Sequence, residues 1–256
     1  MTQRSHVETG LSVLEARLQN PQPGTIRQPA EIRPFITLGT ETGAGATTTG
    51  QALVPLLDQA FKEPGQGWVF LDKNLLTHAL ATHDLPERLA QHLPEDKVSE
   101  FKAVIGELVG LHPSLWELEH QVAEAILQLA HVGRVVIAGR AAYLITRSLP
   151  GGFHVKLAAS AEVRIERMMR LLNLDAAAAT AHIRKTDRAR RRFVRTRFGR
   201  DPDDVHLYDL VINTDRMTPG AVARIILESL RNRMMDLEAA NRPGSTSPFS
   251  VPTGGI

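Results

Sequence analysis

Cysteine is absent from all 256 positions. That excludes disulfides, thiolate metal sites and cysteine nucleophiles, and it suits a reducing, cytoplasmic setting. No apolar run reaches the roughly 18 residues a membrane span requires. The opening stretch, MTQRSHVETG, carries no apolar signal core, so no membrane association is expected. No internal repeat is visible. The ten histidines are scattered, and none pairs with a nearby acid at metal-ligand spacing, so no transition-metal site is expected. A formal net charge of only +2 does not mark the whole molecule as a polyanion binder.

What is there fits a globular α/β protein: 43% hydrophobic and 23% charged residues, enough chain for one sizeable core or two small ones. Residues 1–33 read as an extension with one amphipathic piece, Val7–Leu18, and a Pro-rich linker. Residues 241–256 read as a flexible tail. Between them, short apolar strands alternate with helices: strands at Phe35–Gly39, Trp68–Leu71, Arg134–Ala138, Phe153–Ala158 and Asp209–Asn213. The intervening helical segments are Ala46–Phe61, Asp72–Val109, Pro113–His131, Ala161–Leu172, Asp175–Arg197 and Met217–Ala239. Such alternation predicts a parallel sheet covered on both faces, with ligands bound at the carboxyl ends of its strands.

One cation is missing where it would matter most. "ITLGTETGAGATTTGQAL", Ile36–Leu53, has the strand, Gly-rich turn and helix of a phosphate-binding loop, whose usual pattern is Gly-x-x-x-x-Gly-Lys-Ser/Thr. Gly45 and Thr47 fit, but Ala46 stands in the lysine slot and Thr40 in that of the first glycine. Backbone amides and a helix N-terminus bind phosphate without a lysine. Gly43, Ala44, Gly45, Ala46, Thr47 and Thr48 are therefore the candidate cradle for a nucleoside triphosphate, with the Thr47 or Thr48 hydroxyl as candidate Mg²⁺ ligand, Thr47 first. A ligand-free turn is the alternative. Two further residues sit at strand ends. Asp72 closes "WVFLD", either orienting a phosphoryl acceptor or capping a helix. Arg140 follows Gly139 in "VVIAGRAAYLI", either an anion contact or an exposed helix-start arginine.

The strongest charge feature is "IRKTDRARRRFVRTRFGRD", Ile183–Asp201. Arg184, Arg188, Arg191 and Arg195 share one helical face. A phosphoryl-transfer lid would use such cations to neutralise developing charge. A nucleic-acid patch is the competing reading, weakened by confinement to one segment with only two interleaved phenylalanines.

Taken in order, the phosphate loop, "VFLDKNLL", "VVIAGRAAYLI" and "IRKTDRARRRFVRTRFGRDPDDVHLYDLVINTDRM" resemble the cytidylate kinase-like family, P-loop relatives of nucleoside monophosphate kinases, over about residues 34–230. The resemblance implies a P-loop NTPase-type three-layer sandwich: a five-stranded parallel sheet in the order 2-3-1-4-5, helices on both faces, and an Arg-rich helical lid over about 175–205 within a domain spanning 34–240. It implies ATP and Mg²⁺, with a nucleoside monophosphate or similar acceptor. Carried over by position, Arg140, Asp187 and Arg184 would bind the acceptor, while Arg188, Arg190 and Arg191, with Asp72, would serve catalysis. A lysine-less loop leaves a second expectation, a nucleotide-binding module without turnover.

Overall fold

The computed structural model describes residues 32–63, 67–72 and 116–240, with the side chains of the last segment described from residue 121 onward. The expected N-terminal amphipathic piece, most of the Asp72–Val109 helical stretch, the start of the Pro113 helix and the C-terminal tail lie outside the described residues.

The elements in chain order are β1 (Phe35–Thr40), α1 (Ala46–Ala60), β2 (Val69–Leu71), α2 (Trp116–Val132), β3 (Val135–Ala138), α3 (Ala142–Ile145), β4 (Gly152–Ala158), α4 (Ala161–Leu172), α5 (Ala176–Phe198), β5 (Leu210–Asn213) and α6 (Pro219–Ala240). A single 3-10 turn, Val205–Leu207, precedes β5. The five strands form one sheet in the order β2-β3-β1-β4-β5, every pair parallel. This is the expected sheet, with β1 at its centre. The short helix α3 was not foreseen.

The strands read as continuous apolar runs because both faces are covered. On one face Ile36, Leu38, Val136, Val155, Leu157 and Ile212 pack against Leu53 and Leu57 of α1 and Val222, Ile226 and Leu230 of α6. Helix α1 is intrinsically poor. It opens on a run of three threonines and carries Pro55 in its interior, a residue that costs a helix roughly 3 kcal/mol. Burial holds it in place: Leu53 and Leu57 are fully enclosed. Gly50 lies so close to the Phe70 ring that a Cβ there would sit 2.2 Å away. Among the described residues no helix is long and apolar enough to cross a membrane.

The other face of the sheet holds buried polar groups. His154 on β4 is paired in register with Thr37 on β1, and its Nδ1 lies 2.8 Å from the Thr37 hydroxyl. Burial, chiefly, and then the positive charges of Arg147 and Arg233 outweigh Asp209 and push His154 down to about 4. The folded state therefore refuses a proton that the unfolded chain accepts below its ordinary 6.5. Stability is unaffected by this group above pH 6.5 and falls as pH drops from there towards 4, by about 3 kcal/mol in all. Urea unfolding at pH 7.5 and pH 5 will show a loss of about 2 kcal/mol attributable to this histidine. The loss disappears in His154→Gln. An equal pH slope in that variant would refute the assignment.

Candidate active site

At the carboxyl end of β1 the chain turns sharply from Thr40 into α1. Glu41 N–H bonds Leu157 O at 3.1 Å and Ala44 N–H bonds Glu41 O at 3.0 Å. Gly43 and Gly45 take left-handed backbone angles, φ 88 and 94, which other residues adopt only under strain. At Gly43 a Cβ would also stand 3.0 Å from the Arg164 carbonyl oxygen, so α4 approaches the loop too closely for any side chain.

The loop's carbonyl oxygens are held by side chains from other elements. Arg190 Nη1 donates to Thr40 O at 3.1 Å. Arg164 Nη1 reaches Thr42 O at 3.4 Å and Arg167 Nη1 reaches Gly43 O at 3.4 Å. The Thr214 hydroxyl donates to Ala44 O at 3.0 Å. The amides are left differently. Among the described residues, no acceptor is bonded by the N–H groups of Gly43, Gly45, Ala46, Thr47 or Thr48. Carbonyls occupied on one side and open amides at a helix N-terminus make an anion cradle. Thr48 spends its hydroxyl on Gly45 O at 3.0 Å, whereas no such bond engages the half-buried Thr47.

Asp187 anchors α5 to this loop. One carboxylate oxygen accepts from Thr42 N at 3.0 Å and from the Thr42 hydroxyl at 2.7 Å. The other accepts from Arg164 Nη1 at 2.6 Å. Burial works to raise this carboxyl, but the bonds from Thr42 and Arg164 outweigh it and hold the group below the ordinary range. Arg190, one helical turn on, lies 3.6 Å from Asp187 and donates to the Thr42 hydroxyl at 3.0 Å. Burial and the neighbouring Arg164 charge lower the Arg190 guanidinium, against the pull of Asp187. An arginine stays charged through any such shift.

Arg184, Arg188, Arg191 and Arg195 share one exposed side of α5, as their spacing predicts, and that side is turned away from the buried positions. Ile183, Asp187 and Val194 are among its buried positions and fix its inner side. Arg184 and Arg188, with Lys185 and Arg192, are exposed. Arg191 is paired with Asp203 at 2.8 Å, which raises Arg191 mainly through that hydrogen bond. Arg195 is paired with Asp201 at 2.6 Å. Asp203 also binds the buried Lys156 of β4 at 2.8 Å. The structure thus brings Asp187 and Arg190 to the loop, places Arg191 in a bridge to the segment after α5, and leaves Arg184 and Arg188 on the outer side.

The β2 and β3 ends complete the rim. Asp72 follows β2 directly and is half-buried. Gly139 N–H bonds Leu38 O at 3.0 Å, which sets the end of β3 beside the end of β1. Gly139, Arg140 and Ala141 are all left-handed, φ 83, 54 and 54. For the two non-glycines this costs on the order of 1 kcal/mol each or more, and it turns the chain so that α3 begins at once. An apolar cluster of Ala141, Tyr143 and Leu144 with Phe193, Val194 and Phe198 ties this corner to the inner side of α5. Sequence reasoning passed over Arg164, Arg167, Thr42 and Thr214, which hold the loop. The available signals were a pair of arginines three apart just after β4, and a threonine at the end of β5.

A model of the cytidylate kinase-like family matches residues 35–216. A cytidylate kinase of Pyrococcus horikoshii is 26% identical over 165 residues, 63% of this chain and 81% of that protein. One from Methanopyrus kandleri is 27% identical over 178 residues, 64% of this chain and 86% of the relative. The crystal structure of an uncharacterized protein from Eubacterium ventriosum superposes with a TM-score of 0.54 at 16% identity, covering 78% of this chain and 99% of that one. It shares the fold.

Proposed function

Because the chain belongs to the cytidylate kinase-like family, we propose that it is a phosphotransferase that moves the γ-phosphoryl group of ATP to a nucleoside monophosphate. The observation that carries this reading is the row of open amides at Gly43, Gly45, Ala46, Thr47 and Thr48, with the loop's carbonyls engaged elsewhere. In this reading those amides and the positive end of α1 bind the donor phosphates. Arg190 lies over the loop as the cation nearest the transferred group. Arg140 and Asp72, at the neighbouring strand ends, hold the acceptor. With Asp187 and Arg190 holding α5 to the loop, Arg184, Arg188 and Arg191 act by side-chain reach from that lid helix, Arg191 after leaving Asp203.

An acceptor phosphate oxygen attacks the γ-phosphorus as the bond to the β,γ-bridging oxygen breaks. ADP leaves and the acceptor becomes a diphosphate. A phosphate monoester is largely dianionic at pH 7, its second pKa lying near 6, so no general base is required. The protein's task is positioning and charge neutralisation. The residues present fit a Mg²⁺ ion held mainly by the nucleotide. Thr47 offers a hydroxyl in the first turn of α1, and Mg²⁺ bound through phosphates and water needs no dedicated protein cage. Such an ion would supply charge neutralisation on the donor phosphates.

The observation favouring a second reading, a nucleotide-binding module without turnover, is Ala46 in the lysine slot. ADP formation from Mg-ATP, measured against a panel of nucleoside monophosphates, separates the two. Turnover with at least one acceptor supports the phosphotransferase. Nucleotide binding without turnover on any acceptor supports the module.

A further inference from the structure

We infer that Arg164 and Arg167 of α4 are positioning residues that stand in for the missing loop lysine, acting from behind the loop through its carbonyl groups. The inference rests on the reading of the loop as a triphosphate site and says how that site works without Lys at position 46.

The geometry of the trans peptide supplies the argument. In each planar unit the C=O and the following N–H point in opposite directions. Arg164 draws Thr42 O towards α4, so the N–H of Gly43 in the same peptide points away from α4, to the open side. Thr214 draws Ala44 O, so the N–H of Gly45 is turned the same way. Thr214 is itself gripped by Arg167, through its hydroxyl at 2.9 Å and its carbonyl at 2.7 Å. The left-handed glycines at 43 and 45 make either peptide orientation accessible. The bonds from α4 and Thr214 select the one that presents amides to an anion.

The two arginines differ in charge balance. Arg164 is neutralised by Asp187 at 2.6 Å, so its part is orientation. Arg167 has no carboxylate partner among the described residues. It adds net positive charge beside the loop, and bonds to a cation polarise the peptide units they engage. The charge a lysine would bring over the phosphates is delivered here from the opposite side.

The test is calorimetric titration of the full chain with Mg-ATP and with inorganic tripolyphosphate, which probes the phosphate site alone. Arg167→Met is expected to weaken both ligands equally, by about ten- to a hundredfold, the scale of charge-assisted hydrogen bonds. Ala46→Lys added to Arg167→Met is expected to recover most of that loss, while Ala46→Lys alone gains much less. A purely structural role for Arg167 would show no such rescue. Thr214→Val, which removes only the hydroxyl, guards against misfolding of the first variant. It is expected to weaken both ligands, with an effect that does not add to that of Arg167→Met. Wild-type binding that survives within twofold in Arg167→Met and Thr214→Val would overturn the inference and leave the nucleotide site standing. Absence of wild-type binding to either ligand would overturn the triphosphate site itself and the inference with it.

Discussion

Arg190→Ala will lower kcat/KM for phosphoryl transfer by about 10²–10³-fold, the loss seen when one preorganised electrostatic group is removed from a transition state. Among the described residues, Arg190 is the cation of α5 that reaches the phosphate loop. It bonds Thr40 O and the Thr42 hydroxyl, while 45% of its side chain remains exposed. The side chain is therefore still partly open beside the loop, where the proposed function puts the transferred phosphoryl group. Its contacts with the loop fix its position before substrate arrives, so little reorganisation accompanies the reaction. Arg192→Ala is the comparison. That residue is equally cationic but exposed on the outer side of the helix, and its loss will change kcat/KM by less than about threefold, as expected of a remote screened charge. Equal effects from the two variants would mean that the helix acts only through its overall charge.

The second large effect falls on stability. Asp187→Ala removes a buried carboxylate that three donors share: Thr42 N, the Thr42 hydroxyl and Arg164. What remains is a largely enclosed guanidinium that keeps only the more distant Glu41, at 3.9 Å, as counter-charge, together with an unpaired loop amide. Breaking a buried pair from one side costs about 3 kcal/mol or more. For a protein of this size that is a fall in Tm of roughly 6–12 °C. Because hydrogen bonding holds this carboxyl below its ordinary value, the clamp is complete at neutral pH and is lost only as acid titrates the carboxyl. Nucleotide affinity falls together with stability, since Thr42 is part of the loop. Arg188→Ala, next along the helix but exposed, will leave Tm nearly unchanged. A Tm for Asp187→Ala within about 2 °C of wild type, on the same scale, would refute the clamp.

These two residues mark where the sequence was readable and where it was not. The strand–helix alternation was plain because β1, β3 and β4 are buried on both faces and appear as uninterrupted apolar runs. The turn into α1 was plain because left-handed glycines at 43 and 45 have few alternatives. The strand order came through the family resemblance, since the apolar pattern of a buried strand says nothing about its neighbours. The period of the arginines in α5 was visible, but their direction was not. So dense a run of basic residues overwhelms any helical pattern. The decisive feature is a single acid, Asp187, four residues after Ile183 and seven before Val194, on the narrow apolar side that the helix buries. Read that way, Arg190 joins the inner side and Arg184 and Arg188 do not. The pair Arg164 and Arg167 was hidden because nothing distinguishes it from ordinary cations of an amphipathic helix until α4 is seen against Gly43. Helix α3 was missed because its four residues follow three left-handed ones, a turn that sequence propensity disfavours and tertiary packing against Phe193 and Val194 stabilises.

In the proposed function open backbone amides, and not a lysine, hold the donor phosphates. The most direct measurement is the amide ¹H–¹⁵N spectrum of the labelled protein during titration with Mg-ATP. The Gly43, Gly45, Ala46, Thr47 and Thr48 amides will then shift together and saturate at one affinity, with inorganic tripolyphosphate moving the same set. Saturable ATP binding that leaves these five amides in place would contradict it.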